Sequence, residues 1–208
     1  MVLDPCEAME FVKGVLPLPD YICTRDVDDA LAFLRRHGRI VLKAVSPKIV
    51  HKWERGAVVL DVTTEEELEH HFYRLLSTFG GKVMVQEQVS GAELFLGAKK
   101  DPQFGPVVLF GLGGIFVELY EDVSIRAAPV DTEEALEMVN EIKGRRLLEG
   151  FRGHRVNKEA LARLIAKFSR FVYENVPEEM DVNPLIARGD QFWAVDVRVV
   201  HSGDEGRR

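Results

Sequence analysis

The sequence predicts an α+β fold, because strand patterns joined by short loops occur together with amphipathic helices that begin at capping residues. Within residues 93–126, apolar runs follow one another across short loops, which is typical of an antiparallel sheet. Capping pairs that start helices occur at Thr64 with Glu67 and at Asp131 with Glu134. Hydrophobic residues form 46% of the 208-residue chain, enough for a core in one large domain or in two closely packed subdomains.

The first half of the chain alternates predicted helices and strands. Apolar spacing and flanking glycines or prolines predict a helix, two strands, a second helix and a third strand, in this order, over residues 26–36, 39–45, 58–62, 64–80 and 82–89. Lys43 lies inside the second of these segments, where burying a charge costs free energy unless an anion meets it. Two interpretations of Lys43 stay open: an edge residue whose ammonium group reaches water, and a ligand of a phosphate.

The second half predicts the antiparallel sheet, two helices and a final hairpin. A composition shift near its start indicates two subdomains, residues 1–86 and 87–208. Helices are predicted from Asp131 to about Lys143 and from Asn157 onward, and the apolar stripe of the second helix indicates that it covers the sheet. The second strand of the hairpin is predicted over residues 192–200.

A glycine-rich reversal stands in the middle of the predicted sheet. Two apolar runs, 107–110 and 115–119, flank the glycines Gly111, Gly113 and Gly114. A tight turn there needs backbone angles that glycine adopts without strain, and it leaves amides that an anion could contact. Glu118 and Asp122 follow, which fits a divalent metal lying between the carboxylates and a phosphate. A plain hairpin with a solvated carboxylate explains the same pattern.

The charge balance restricts the classes of ligand. A formal net charge of -7 and a pI of about 5.5 argue against a broad nucleic-acid surface, since neutralising phosphates requires clustered lysines and arginines. Free nucleotides stay possible as ligands.

The cysteines and the N-terminus bear on the compartment. Cys6 and Cys23 are too few for a disulfide framework and too far apart for a CxxC motif, so we expect two reduced thiols. Residues 1–11 carry acids where a signal peptide carries bases, and no apolar run is long enough to span a bilayer. The expected location is therefore cytoplasmic.

The final hairpin brings two oxygen-bearing side chains together. Asn183 opens one arm and Asp196 lies in the other, so strand pairing is expected to bring an amide oxygen and a carboxylate to one point. Hard oxygen ligands of this kind suit Mg²⁺, which takes few protein ligands and completes its octahedron with phosphate and water. A salt bridge from Asp196 to Arg198, two residues on, is the alternative.

Seven segments of the chain carry a family resemblance: LKAVSPKIVHK, VQEQVSGAEL, DPQFGPVVLFGLGGIFVEL, DVSIRAAPV, LLEGFRG, DVNPL and AVDVR. In this order they resemble the beta subunit, or ATP-grasp domain, of ADP-forming acetyl-CoA synthetases, which are relatives of succinyl-CoA synthetase. The resemblance implies an ATP-grasp fold in which two α+β subdomains clamp ATP or ADP between their sheets. It also implies Mg²⁺ as a cofactor and a CoA-binding alpha subunit as the partner in a heteromer.

The resemblance further implies a role for each matching residue. Contacts to the nucleotide fall to Lys43 at the phosphates, to Gln86, Glu87 and Val89 along the linker that receives adenine and ribose, and to Glu93 nearby. The Mg²⁺ ligands are Asn183 and Asp196. The catalytic residues are His51, Glu118 and Asp181, of which the last two face the incoming phosphoryl group. The three glycines then become the turn that aims Glu118.

His51 matches the beta-subunit histidine that is proposed as a second phosphate carrier in this family. Pro47 predicts the loop that presents this histidine together with Lys52. Neutral imidazole is a competent nucleophile at neutral pH, and a phosphoramidate is able to pass its phosphoryl group on. Lys52 and Arg55 supply compensating positive charge.

The predicted function is phosphoryl transfer between a phosphohistidine and ADP, by which an ADP-forming acyl-CoA synthetase makes ATP from acyl-CoA, ADP and phosphate. A partner is expected because the chain has no GxGxxG segment placed as a CoA-binding Rossmann fingerprint. The run HKWERGAVV departs from the family pattern, with Trp53 intruding and Ala57 in place of a glycine. Two alternatives therefore stay open: a non-catalytic nucleotide-binding regulatory subunit, and an ATP-grasp ligase of another carboxylate.

Overall fold

The computed structural model of the protein describes residues 1–46, 56–114, 122–150 and 155–201. Contacts divide the chain into two compact units. The N-terminal unit comprises Asp4–Glu7 and Pro19–Val89, and the C-terminal unit comprises Met1–Leu3, Ala8–Leu18 and the described chain from Ser90 onward. Both units combine helices with antiparallel strands, which confirms the predicted α+β class. Among the described residues, no helix is long and apolar enough to cross a membrane.

The N-terminal unit has a sheet with four strands in the described part of the chain. After helix α1 (Pro5–Val12), the elements are β1 (Tyr21–Thr24), α2 (Val27–His37), β2 (Ile40–Val45), β3 (Val58–Val62), α3 (Glu65–Phe79) and β4 (Lys82–Glu87). The strands lie in the order β1-β4-β2-β3, and every pair is antiparallel. Strands β2 and β4 are therefore the interior strands.

Capping residues set the limits of α2 and α3. Asp26 caps α2 by accepting a hydrogen bond from the amide of Asp28, and Gly38 ends the helix at φ 74°, an angle that favours glycine. Thr64 and Glu67 form the predicted capping box at the start of α3. The apolar faces of both helices pack against one face of the sheet and form the core of this unit.

The C-terminal unit has a larger antiparallel sheet, which counts six strands over the described ranges. Its elements are β5 (Ala92–Asp101), β6 (Gly105–Leu112), β7 (Val123–Ala127), α4 (Thr132–Glu141), a 3₁₀ helix (Lys143–Leu148), α5 (Lys158–Asn175), β8 (Glu179–Arg188), β9 (Gln191–Ala194) and β10 (Val197–Val200). The strand order is β10-β8-β5-β6-β7, and β9 also pairs with β8.

The predicted caps of this unit also form. Asp131 accepts a hydrogen bond from the amide of Glu134 at the start of α4, and Asn157 caps α5. Helix α5 packs against α4 and β6, so it covers the sheet as the sequence predicts. Buried Ser169 of α5 accepts a hydrogen bond of 2.7 Å from the amide of Val130, which ties this helix to the segment before α4.

The prediction of a single strand over residues 192–200 is wrong. The chain forms β9 and β10 with a break at Val195 and Asp196. The break lies opposite Pro184 of β8, which has no N–H to donate to a ladder. The ladder resumes on either side, with Leu185 opposite Ala194 and Val182 opposite Val197.

The expectation of two reduced thiols is also wrong, because a disulfide joins Cys6 of α1 to Cys23 of β1. Their Cα atoms are 6.5 Å apart, within the usual range for a disulfide. The separation of 17 residues excludes a CxxC motif, but it does not limit which cysteines meet once the chain has folded.

Candidate functional site

The break between β9 and β10 places Asn183 beside Asp196, as the sequence predicts. The amide of Asn183 donates a hydrogen bond of 3.1 Å to the carbonyl oxygen of Asp196, and the amide of Val195 donates one of 3.3 Å to the carbonyl oxygen of Pro184. We call this place the 183/196 junction. The regular ladder is interrupted here, and these two backbone hydrogen bonds join the strands across the interruption.

The glycines after β6 lie against the 183/196 junction. The amide of Gly114 donates a hydrogen bond of 2.9 Å to Oδ1 of Asn183, and the amide of Gly113 donates one of 2.8 Å to the carbonyl oxygen of Glu93. Gly114 has φ 63°, and a Cβ there would collide with Oε2 of Glu93. The positive φ therefore favours glycine at position 114, and at Gly113 a Cβ would collide with the backbone oxygen of Leu94 at 2.6 Å.

The oxygens at the 183/196 junction have the chemistry that Mg²⁺ prefers. Asn183 offers an amide oxygen with a second lone pair beyond the one that Gly114 uses, and Asp196 offers a carboxylate. The carboxylate of Glu93 lies beside Gly114 on the other side. A divalent cation would balance this negative charge, so the residues present fit the metal implied by the sequence.

Asp181 and Asn183 lie on β8 on either side of buried Val182. Arg198 donates hydrogen bonds from Nη1 to Glu179 Oε1 (2.5 Å) and to Asp181 Oδ2 (3.2 Å). Arg198 thus forms its ion pairs with carboxylates of β8, and the alternative pairing with Asp196 is not the one observed. The contact to Glu179 could not be predicted from the sequence, because it depends on the register between β8 and β10.

Burial raises the pKa of the Asp181 carboxyl above its ordinary value of 3.8; nearby Glu179 raises it further, and Arg198 opposes the shift. A raised pKa means that the folded chain binds this proton more tightly than the unfolded chain does. Ionised Asp181 therefore costs stability at neutral pH, and the cost disappears as the pH falls through the raised pKa toward 3.8. Groups held at such a cost are common at functional sites.

We expect Asp181→Asn to raise the thermal unfolding midpoint at pH 7, with the gain shrinking as the pH approaches 4. The measurement is the unfolding midpoint of wild type and variant between pH 4 and pH 8. Asp190→Asn, at an exposed turn residue between β8 and β9, is the matched control and should show no such pH-dependent gain. A lower midpoint for Asp181→Asn at pH 7 would mean that the ion pair with Arg198 outweighs burial.

Lys43 and Gln86 form a buried polar pair in the N-terminal unit. Nζ of Lys43 donates a hydrogen bond of 2.8 Å to Oε1 of Gln86, and the residues are only 6% and 1% exposed. Lys43 lies on β2, an interior strand, so its interpretation as an edge residue reaching water is wrong. Nε2 of Gln86 is buried without a hydrogen-bond partner in the described structure. A polar ligand would satisfy it.

The pair lies on the sheet face opposite the helices. Leu42 and Val85, the strand neighbours of Lys43 and Gln86, belong to the core under α2 and α3. Successive side chains of a strand point to opposite faces, so Lys43 and Gln86 point away from that core. A lysine and an unsatisfied amide on this face suit an anionic ligand with polar edges, such as a nucleotide.

The remaining predicted residues divide into three groups. Glu87 lies on the opposite side of β4 from Gln86 and close to His37 and Asp20. Its side chain therefore does not lie on the sheet face that carries Lys43. Val89 is half-buried just after β4. His51 and Glu118 lie outside the described residues, and their roles stay predictions.

Asp122 has a structural role that neither sequence interpretation anticipated. Its two carboxylate oxygens accept hydrogen bonds from the amides of Lys143 (2.8 Å) and Gly144 (2.7 Å). These amides begin the 3₁₀ helix and have no partners within it. Asp122 therefore caps that helix.

Two compact α+β units, one with the buried Lys43–Gln86 pair and one with the 183/196 junction, agree with the class of protein that the sequence predicts, an ATP-grasp domain. The ATP-grasp domain family matches residues 1–200. The beta subunit of acetate–CoA ligase [ADP-forming] I from Pyrococcus furiosus is 40% identical over 93% of this chain and 89% of its own length. The Archaeoglobus fulgidus acetate–CoA ligase [ADP-forming] I is 42% identical over 86% of this chain, which spans 28% of that longer protein.

A solved structure supports the same relationship. An acetyl-coenzyme A synthetase from Ca. Korarchaeum cryptofilum, in complex with coenzyme A and Ca-AMPCP, superposes with a TM-score of 0.89 at 36% identity, covering 97% of this chain and 93% of that one. The chain belongs to the ATP-grasp family, among the beta subunits of ADP-forming acetate–CoA ligases. The resemblance inferred from the seven segments is thereby confirmed.

Proposed function

We propose that this chain is the nucleotide-binding beta subunit of an ADP-forming acyl-CoA synthetase, which makes ATP, free acid and CoA from acyl-CoA, ADP and phosphate. The 183/196 junction carries the proposal, because it presents hard oxygens beside the glycine amides in a chain of this family. The name of the Pyrococcus relative as a beta subunit supports a separate alpha subunit as the partner. A cytoplasmic location stays a prediction.

Four residues have proposed roles in binding the nucleotide and the metal. Lys43 and Gln86 bind the nucleotide, with Lys43 at its phosphates, while Asn183 and Asp196 hold Mg²⁺. A solved structure of the related Ca. Korarchaeum cryptofilum synthetase contains Mg-AMPPCP, which supports Mg²⁺ and a nucleotide as the ligands. When bound, Mg²⁺ supplies charge neutralisation and aligns phosphate oxygens.

The phosphoryl step needs positioning more than covalent chemistry from the protein. In the direction of ATP synthesis, the P–N bond of a phosphohistidine breaks as a terminal phosphate oxygen of ADP forms a new P–O bond, and the imidazole takes up one proton from solvent so that it leaves in its neutral form. The positive charge of Lys43 offsets negative charge on the phosphate oxygens of the nucleotide. We propose that Asp181 and Glu118 orient the approaching phosphohistidine, and that His51 serves as the second carrier.

Reconstitution tests the proposal. The isolated chain should bind ADP in the presence of Mg²⁺ and form no acyl-CoA, whereas addition of the alpha subunit should restore acyl-CoA formation from acid, CoA and ATP. Acyl-CoA formation by the isolated chain would contradict the required partner. Nucleotide binding without turnover in the complete complex would favour the non-catalytic regulatory alternative, and His51→Ala in the same assay tests the carrier role.

A further inference from the structure

We propose a second cation site, distinct from the 183/196 junction, formed in the N-terminal unit by Asp20, His37 and Glu87. One ligand atom of each residue lies within 4.8 Å of the corresponding atoms of the other two. All three residues belong to the same compact unit. The site takes a divalent transition metal of the Zn²⁺ type.

Evidence for a bound ligand comes from the side chain of His37. Its side chain is only 10% exposed at the end of α2, and its ring stacks on Phe33 with the centroids 4.2 Å apart. Nε2 is buried and has no hydrogen-bond partner in the described part of the protein. The nearest carboxylate oxygen, Oδ2 of Asp20, is 3.6 Å away, which is longer than a hydrogen bond. A fixed imidazole thus directs an unsatisfied nitrogen toward two carboxylates.

The backbone holds the two carboxylates next to each other. Asp20 immediately precedes β1 and Glu87 is the last residue of β4, and the amide of Glu87 donates a hydrogen bond of 2.9 Å to the carbonyl oxygen of Asp20. Because Glu87 and Gln86 alternate along β4, Glu87 lies on the helix-covered side of the sheet, where α2 ends at His37. The three ligands therefore come from elements that pack together in the fold.

The donor set selects the kind of metal. An imidazole nitrogen in the donor set favours Zn²⁺ and related transition metals, whereas Mg²⁺ and Ca²⁺ prefer oxygen alone. Two carboxylates also balance the charge of a divalent cation. The Asp20 side chain is 58% exposed, so the site opens to solvent on its side and leaves room for water in the remaining coordination positions.

Arg36 is the competitor for this site. Its Nη2 lies 3.7 Å from Oδ2 of Asp20, but the guanidinium is 76% exposed and the ion pair is therefore weak. A metal bound by three ligands displaces such a contact readily. A bound metal would join the end of α2 to the ends of β1 and β4 and so stabilise the N-terminal unit.

Zn²⁺ titration of the full chain tests the proposal. The chain is freed of metal with a chelator, which is then removed, and Zn²⁺ binding is measured by calorimetry at pH 7 with excess Mg²⁺ occupying oxygen-only sites. We expect one Zn²⁺ whose affinity falls at least ~10-fold in His37→Gln and Glu87→Gln, because even outer-shell changes cost on the order of 10- to 100-fold. His70→Gln, at an exposed histidine of α3, is the matched control and should bind as the wild type does.

Further readouts keep the test decisive. Arg36→Gln should tighten Zn²⁺ binding, and Zn²⁺ should raise the unfolding midpoint of wild type but not of His37→Gln. If His37→Gln does not fold, Asp20→Asn at its exposed position is expected to show the same loss. X-ray absorption should report a single imidazole among oxygen ligands. Absence of Zn²⁺ binding, unchanged binding in the ligand variants, or two imidazoles on the metal would overturn the proposal.

Discussion

Asp196→Ala is expected to reduce ATP formation by the reconstituted complex by at least ~100-fold, the size of effect seen when one electrostatic group is removed from a reacting centre. Asp196 supplies the only full negative charge of the proposed pair of Mg²⁺ ligands. Without it, Asn183 alone holds the cation, and the developing charge on the transferred group is poorly neutralised. The measurement is the rate of ATP formation from acyl-CoA, ADP and phosphate at a Mg²⁺ concentration that saturates the wild-type complex.

The control for this variant is Asp190→Ala, which removes an exposed aspartate from the turn between β8 and β9 in the same unit. Its rate should equal that of wild type. Raising the Mg²⁺ concentration should restore part of the activity of Asp196→Ala, because the lost group acts through the metal. An Asp196→Ala complex as active as wild type would remove the junction from the reaction.

Pairing and capping could be predicted because they depend on residues close together in sequence or on strand periodicity. The caps at Thr64 and Asp131 form where the sequence predicts them, since a side-chain acceptor needs only an amide two or three residues away. The meeting of Asn183 with Asp196 follows from a hairpin whose turn lies midway between them. These features are local.

The errors come from contacts that the fold alone decides. The pairing of Cys6 with Cys23 depends on α1 lying beside β1, neither of which was predicted. Predicting the break at Asp196 requires knowing that Pro184 lies opposite it. Predicting the ion pair of Arg198 with Glu179 requires knowing the register of β8 with β10. The side of β4 on which Glu87 lies, by contrast, could have been predicted from the sequence. Side chains alternate along a strand, so Glu87 must point away from the face that carries Gln86.

Lys43→Met is expected to weaken binding of ADP with Mg²⁺ by roughly 10- to 100-fold, the loss of about 1.5–3 kcal/mol for a hydrogen bond to a charged group. Methionine is an unbranched, apolar side chain, so it suits the surroundings of an interior strand while removing the charge that is proposed to meet the phosphates. Calorimetric titration of the isolated chain with ADP gives the affinity directly.

Lys82→Met provides the matched control, because Lys82 is an exposed lysine at the start of β4 in the same sheet, and its affinity for ADP should equal that of wild type. Gln86→Met separates two roles of the buried pair. If Lys43 binds phosphate, Gln86→Met should weaken ADP binding less than Lys43→Met does, since the ammonium group remains. If both variants keep the wild-type affinity, the pair only stabilises the sheet and the nucleotide does not contact this face.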